Sequence, residues 1–322
     1  MRAAICPAYG APDVVRVGEY PEPVIAAGQV RIRVSAAAVN FPDVLLIADK
    51  YQISVPPPFI PGSEFAGEIV EVAPDATGVA VGDRVTGAGL HGAFAEEIVV
   101  PVGGLARIAD GIDDLTAAAF GVAYRTAYHT LRSVARVRSG DDVVVLGAGG
   151  GVGLATVALA ALLGATVTAV ASSSQKLDAA GRYGATHLVN HRDGDLRSAL
   201  KTAVPGGAAA VVDPVGGALS EPALRSLRRG GRFVTVGFAS GAIPAIPLNL
   251  VLVKGVHVLG FQFGDIASEE FSRNEGELRE LLAHGRIRPH IGAVYPLEKT
   301  AAALTHVADG RAIGKIVIDL TR

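Results

Sequence analysis

From residue 139 onward the chain repeats one pattern: a short apolar strand, a turn, then a helix. After Ser139-Gly140, the run Val143 to Leu146 leads into Gly147-Ala148-Gly149-Gly150-Gly151-Val152-Gly153, then a helix-period stretch ending near Leu163-Gly164. Strands follow at 167–170, 187–190, 209–213 and 232–236, separated by helices at about 175–183, 195–202 and 220–227. Short uninterrupted apolar strands alternating with helices require a parallel sheet covered on both faces, the doubly wound architecture. Val256 to Phe261 supplies a sixth strand and completes a sheet of the size that binds dinucleotides.

The glycine loop sits between a predicted strand and a predicted helix, the context in which it has chemical meaning. Gly147, Gly150, Gly151 and Gly153, with Val152, let the chain turn sharply and approach a pyrophosphate without a Cβ clash. The N–H groups at the helix start then face the negative charge. At the end of the second strand an NAD site usually places Asp or Glu on the ribose hydroxyl, whereas this chain reads Val170-Ala171-Ser172-Ser173-Ser174-Gln175-Lys176. Hydroxyls from Ser172 and Ser173 and the ammonium of Lys176 suit a 2′-phosphate, so the expected cofactor is NADPH. A plain helix cap at Ser172 or Ser173 is compatible with the same residues.

The first third differs. Val30, Ile32, Val34 and Ala36 alternate with more polar neighbours, and 68–72, 84–86 and 94–100 read as further strands, with a turn at Val81-Gly82-Asp83. No helix-period run of useful length appears before about Leu115, so this part reads as an irregular antiparallel β-domain. Beyond Glu269 the sequence predicts helices over 275–284 and 297–309 and a last strand over 315–320, a tail that returns to the first domain. The expected boundaries are 1–122 with 262–322 for the β-domain and 123–261 for the nucleotide domain.

Composition removes several classes. Twenty-nine basic against 31 acidic side chains leave a net charge of −2 without a basic run, which excludes nucleic acid as an expected partner. No apolar stretch of about 18 residues reads as a membrane span, and the N-terminus lacks the apolar core of a signal peptide, so no membrane partner and a cytoplasmic location are expected. A single cysteine, Cys6, forbids an internal disulfide and a cysteine-rich zinc site. It reads as a small buried hydrophobe in the opening strand.

Several segments together resemble the zinc-free quinone oxidoreductase branch of the medium-chain dehydrogenase/reductase superfamily. They are Val39-Asn40-Phe41-Pro42-Asp43, Pro61-Gly62-Ser63-Glu64-Phe65-Ala66-Gly67, Val81-Gly82-Asp83-Arg84-Val85, the loop at 147–153, Gly237-Phe238-Ala239-Ser240-Gly241 and Gly314-Lys315-Ile316-Val317. Zinc-dependent relatives hold catalytic zinc with Cys in the first segment and His in the second, where this chain has Asn40 and Ser63. An amide and a hydroxyl do not replace thiolate and imidazole at zinc, so no metal is expected. The resemblance implies an α/β protein with a GroES-like catalytic domain built from both chain ends, a Rossmann domain inserted between them, and the nicotinamide in the cleft.

It also implies site residues. Asn40, Tyr51 and Thr126 match positions facing nicotinamide or substrate; Lys176 matches a 2′-phosphate contact; His191 replaces a tyrosine beside the adenosine; Gly237, Phe238, Phe261 and Lys315 complete the expected cofactor contacts. Leu45 and Asp49 depart from the family pattern, where tyrosine and glycine are common. A zinc-free site lacks a Lewis acid, so activated acceptors such as quinones and α,β-unsaturated carbonyl compounds are the expected electrophilic small-molecule substrates. Asn40 and Tyr51 are expected to hydrogen-bond the substrate carbonyl, and Thr126 to fix the nicotinamide. Asn40 as a turn cap, Tyr51 as a packing residue and Thr126 as a helix back-bonder stay open beside these roles. Asp43, Glu64 and Arg84 are expected to form a buried ion network.

Two alternatives stand beside this reading: an enoyl-thioester reductase, with Arg125, Lys254 and Arg273 as candidate thioester phosphate contacts, and a non-catalytic NADPH-binding sensor or crystallin-like protein. The apolar strand at Val256 to Phe261 lies at a sheet edge, from which a homodimer through the nucleotide domain is expected.

Overall fold

The computed structural model describes residues 1–321 and divides into two compact units, Met1–Val122 with Arg288–Arg322, and Ala123–Ile287. The boundary differs from the sequence-based one by residues 262–287, which belong to the second unit. The reason is the helix Ser268–Ala283, which starts seven residues earlier than the periodicity predicts and ties Glu275 to His129 (2.9 Å) and Arg125 (2.9 Å) within that unit.

The first unit is a seven-stranded sheet with a separate hairpin of Arg2–Ile5 and Arg16–Glu19. Its longest strand, Gln29–Val39, pairs antiparallel with Glu64–Val72, with Glu97–Pro101 and with the near-terminal strand Lys315–Asp319. That last pairing brings Lys315 beside the segments holding Asn40 and Glu64. The alternation that reads as a half-buried strand holds only to Val34; Ala36 to Val39 are buried on both faces. Ala117, Ala118 and Ala119 of the helix Asp114–His129 pack against Ala36, Ala38 and Ala66, and their small side chains permit the close approach. Among the elements not legible in the sequence are a short helix and a strand. The helix Phe41–Ile47 is seven residues long, too short to show a period, and Pro42 in its first turn marks its start. The strand Ile291–Pro296 pairs parallel with Lys315–Asp319.

The second unit has six parallel strands: β1 (Asp142–Leu146), β2 (Thr166–Ala171), β3 (His187–Asn190), β4 (Ala208–Asp213), β5 (Leu227–Thr235) and β6 (His257–Gly260). Their spatial order is β3-β2-β1-β4-β5-β6, so the direction of winding switches beside β1. In such sheets ligands bind beyond the carboxyl ends of the strands at that switch. The central strands explain their apolar sequence: Val143 to Leu146 and Ala208 to Val212 are fully buried. At the other extreme β6 forms one edge, with Val258 partly exposed.

Candidate active site

In the second unit the glycine loop follows β1 and opens the helix Gly151–Leu162, with Gly150 as its N-cap. Gly147 turns with φ of +60°, a conformation that costs other residues energy. A Cβ on Gly153 would lie 2.1 Å from the carbonyl oxygen of Gly147, so no other residue lets the helix start so close to the strand. A Cβ on Gly149 would meet the stem of Lys176 at 2.5 Å, which shows the lysine lying across the loop. Asp213, at the end of β4, orders the neighbouring turn: its carboxylate accepts from the N–H groups of Val215 and Gly216 (2.8 Å each) and from the Ser220 hydroxyl (2.6 Å). The sequence carries no signal for that role beyond an acid at a strand end.

Ser173 caps the helix Ser174–Arg182, its hydroxyl accepting from the Lys176 N–H, while the Lys176 ammonium contacts the Ser172 hydroxyl at 3.4 Å. Burial, and after it the charge of Arg192, hold the Lys176 pKa below the usual lysine value. His191 is pushed down by burial first and then by Arg192. The charged forms of both side chains are therefore disfavoured here, and an adjacent anion would favour them again. Arg192 is the residue that sequence reasoning missed, although it adjoins His191. The backbone N–H of His191 donates to the Ala171 carbonyl at 3.1 Å, which fixes it beside Ser172. Gly237 and Phe238 follow β5 beside the Asp213 turn, where Phe238 is 37% exposed. The Phe261 N–H donates to the Thr235 carbonyl, and its ring meets Phe263 edge-on at 4.9 Å. Thr126 is buried in the segment of the helix Asp114–His129 that belongs to this unit. Backbone N–H groups, hydroxyls, cations and a glycine cradle at a parallel-sheet switch make the donor set of a phosphorylated dinucleotide.

The first unit holds a different polar cluster. Asn40 is the N-cap of the helix Phe41–Ile47, and its N–H donates to Asp43 Oδ2 at 2.7 Å. The Lys315 ammonium donates to Asn40 Oδ1 (2.5 Å) and Glu64 Oε2 (3.1 Å). The Asn40 amide nitrogen faces Glu64 Oε2 (3.2 Å), Ser63 Oγ (3.3 Å) and the Ala38 carbonyl (3.4 Å), and Glu64 Oε1 accepts from the Val122 N–H at 2.6 Å. Glu64 is fully buried and Lys315 only 4% exposed. The expected network of Asp43, Glu64 and Arg84 is thus corrected. Arg84 pairs at the surface with Asp114 and donates to the Ile112 carbonyl, and the cation partnering Glu64 is Lys315. Lys315, which the resemblance placed among the cofactor contacts, is engaged inside this cluster. Burial drives the Asp43 carboxyl up to about 7, against the opposing pull of the Asn40 N–H, Ser63 and Lys315. Tyr51 is half-buried and packs against the apolar core of the unit. The structure therefore groups Asn40 with Ser63, Glu64 and Lys315, and groups the glycine loop with Ser172, Ser173, Lys176 and His191.

Among the other expectations, Cys6 is buried, bridging to Phe59. Arg125 and Arg273 face glutamates, Arg125 with Glu275 at 2.9 Å and Arg273 with Glu270 at 3.8 Å, rather than forming an open basic patch. Among the described residues no three His, Cys, Asp or Glu side chains converge as a metal site, and no helix is long and apolar enough to cross a membrane.

Residues 26–110 match the alcohol dehydrogenase GroES-like domain, and residues 151–279 match the zinc-binding dehydrogenase domain. A bovine protein named quinone oxidoreductase-like protein 2 is 37% identical over 324 residues, covering 99% of this chain and 92% of its own. Escherichia coli quinone oxidoreductase complexed with NADPH superposes with a TM-score of 0.91 at 26% identity, covering 99% of this chain and 100% of its own. A mycobacterial protein complexed with NADPH gives 0.92 at 29% identity, covering 99% of both chains. With both domains matched and the bovine relative 37% identical over 99% of this chain, the chain belongs to the quinone oxidoreductase branch of the medium-chain dehydrogenase/reductase superfamily.

Proposed function

We propose that the protein is an NADPH-dependent, zinc-independent reductase acting on a quinone or another activated α,β-unsaturated carbonyl compound. The observation that carries this reading is the Gly147–Gly153 cradle with Lys176, His191 and Arg192 gathered beside the hydroxyls of Ser172 and Ser173. The helix start receives the pyrophosphate, and the cations receive the 2′-phosphate. When bound, the nucleotide supplies the hydride. The NADPH complexes of the two structural neighbours support the choice of nucleotide, and the names of the bovine and E. coli relatives support the choice of acceptor.

Zinc independence rests on donor chemistry. At the positions where zinc-dependent relatives carry Cys and His stand an amide and a hydroxyl, and Asn40 Oδ1 is bound to an ammonium that would repel a divalent cation. Because the Asn40 amide nitrogen faces Ser63, Glu64 and Ala38, its role is to position this wall of the site, while the Tyr51 hydroxyl supplies the hydrogen bond to the substrate carbonyl. Thr126 orients the nicotinamide. None of the three is a strong acid or base at neutral pH, so solvent delivers the final proton. A homodimer forms through the second unit, where Leu248, Leu252 and Val253 are at least 70% exposed in the helix before β6.

The test is NADPH oxidation measured with a benzoquinone, a phenanthrenequinone, a 2-alkenal and crotonyl-CoA. Turnover of a quinone or the alkenal without added metal, undiminished by a chelator, is expected. Turnover of crotonyl-CoA alone would make it a thioester reductase, and tight NADPH binding without turnover of any acceptor would make it a non-catalytic binder.

A further inference from the structure

The second unit carries a group of arginines that the nucleotide site leaves unused. Arg136 and Arg138 lie on the turn before β1, Arg228 and Arg232 on β5, and His257 begins β6; together they line a cavity of about 610 Å³. Four arginines line it with one carboxylate, Asp141, which two of their guanidinium groups approach. Asp141 accepts from Arg228 Nη2 at 2.9 Å, lies 3.5 Å from Arg232 Nη2, and takes the Arg138 N–H at 3.0 Å. Arg232 is mostly buried, and its Nε and Nη2 are buried without a hydrogen-bond partner. Among the described residues Arg136 is one of two non-glycine residues with positive φ (+50°), so the turn that presents it is held in a conformation such residues rarely adopt.

Unsatisfied buried donors and like charges in one hollow are both unfavourable, and both are relieved by an anion. Guanidinium forks match phosphate oxygens in pairs. The cavity is also distinct from the cofactor cradle. It lies at the amino ends of the strands, whereas the glycine loop follows the carboxyl end of β1, so five strand residues, about 16 Å at ~3.3 Å each, separate the two.

We infer that this cavity is a second anion site on the nucleotide-binding unit, taking a small phosphate-bearing ligand with more than one negative charge. Arg232 and Arg228 form its floor, and Arg136 and Arg138 its rim. The site belongs to one chain, and its occupancy does not depend on the acceptor that the enzyme reduces.

Calorimetric titration of the NADPH-saturated protein with inorganic pyrophosphate tests it, because the cofactor cradle is then filled. One pyrophosphate per chain is expected, with affinity at least tenfold weaker in Arg136→Ser/Arg138→Ser and in Arg232→Met but unchanged in Lys176→Ala. The rim pair is exposed, so that variant keeps its fold and supports the test if Arg232→Met does not. Absence of binding at millimolar pyrophosphate, or equal affinity in the rim variant, would overturn the inference. So would pyrophosphate binding that disappears in Lys176→Ala, which would assign the heat to the cofactor site instead.

Discussion

The two units solve the problem of polar chemistry in opposite ways. In the second unit the phosphate cradle is made of backbone: glycines at 147, 149, 150 and 153 leave space, and Lys176 lies half-buried across it. In the first unit Asn40, Asp43, Glu64 and Lys315 are buried and chiefly satisfy one another. A cradle built by omission of side chains fails when one is added. A buried ionic cluster fails when one is taken away.

Removing the cluster's only cation gives the largest expected effect. Lys315→Met leaves Glu64 buried with its Oε2 charge uncompensated, and loss of one partner from a buried pair costs about 3–5 kcal/mol. Denaturant unfolding should show a loss of that size, with most of it recovered in Lys315→Met/Glu64→Gln. If the single variant unfolds like the parent, the cluster is not what holds these strands together. The cradle comes next. Gly153→Val places a Cβ 2.1 Å from the Gly147 carbonyl oxygen and forces the helix away from β1. NADPH binding, followed by fluorescence titration, should weaken about 100-fold, close to the ~3 kcal/mol upper range of overpacking costs. Unchanged affinity in a folded variant would remove the loop from the cofactor site.

The same contrast explains what the sequence makes legible. The glycine loop and the six strands are local patterns: Val143 to Leu146 is a continuous apolar run because both faces of β1 are covered, and the loop residues are adjacent in sequence. The ionic cluster joins residues 251 and 275 positions apart, and no local pattern distinguishes Lys315 from Arg84 as the partner of Glu64. Arg84 faces outward at the start of its strand, whereas Lys315 is carried inward by antiparallel pairing with the strand that ends at Val39. Likewise the helix Phe41–Ile47 depends on Asn40 and Asp43 closing its first turn, a contact three residues long that leaves almost no periodic trace.

Lys176→Ala sharpens the comparison with a smaller effect. If the Ser172, Ser173 and Lys176 cluster reads the 2′-phosphate, NADPH should bind about tenfold more weakly, in line with ~1.5 kcal/mol for a charge-assisted hydrogen bond, while NADH affinity changes less than about twofold. Equal losses for both nucleotides would show a lysine that supports the loop through its stem over Gly149 rather than one that recognises phosphate.

Acidity gives the smallest effect per pH unit and separates the two designs by sign. Asp43 titrates near 7 in the folded unit against an ordinary value of 3.8, because burial penalises its charged form. A folded pKa raised in this way contributes stability that is complete below about pH 4 and is lost as the pH rises through about 7. The dependence on one proton cannot exceed about 1.4 kcal/mol per pH unit. The buried cluster therefore loosens towards alkaline pH. His191, pushed the other way by burial and Arg192, loses its folded-state penalty over the same rise. Subtracting the unfolding free energy of Asp43→Asn from that of the parent at each pH isolates the carboxyl. The difference should shift against the parent between about pH 4 and 7 and level off on either side of that window, whereas parallel curves for the two proteins would mean that Asp43 titrates alike in the folded and unfolded chain.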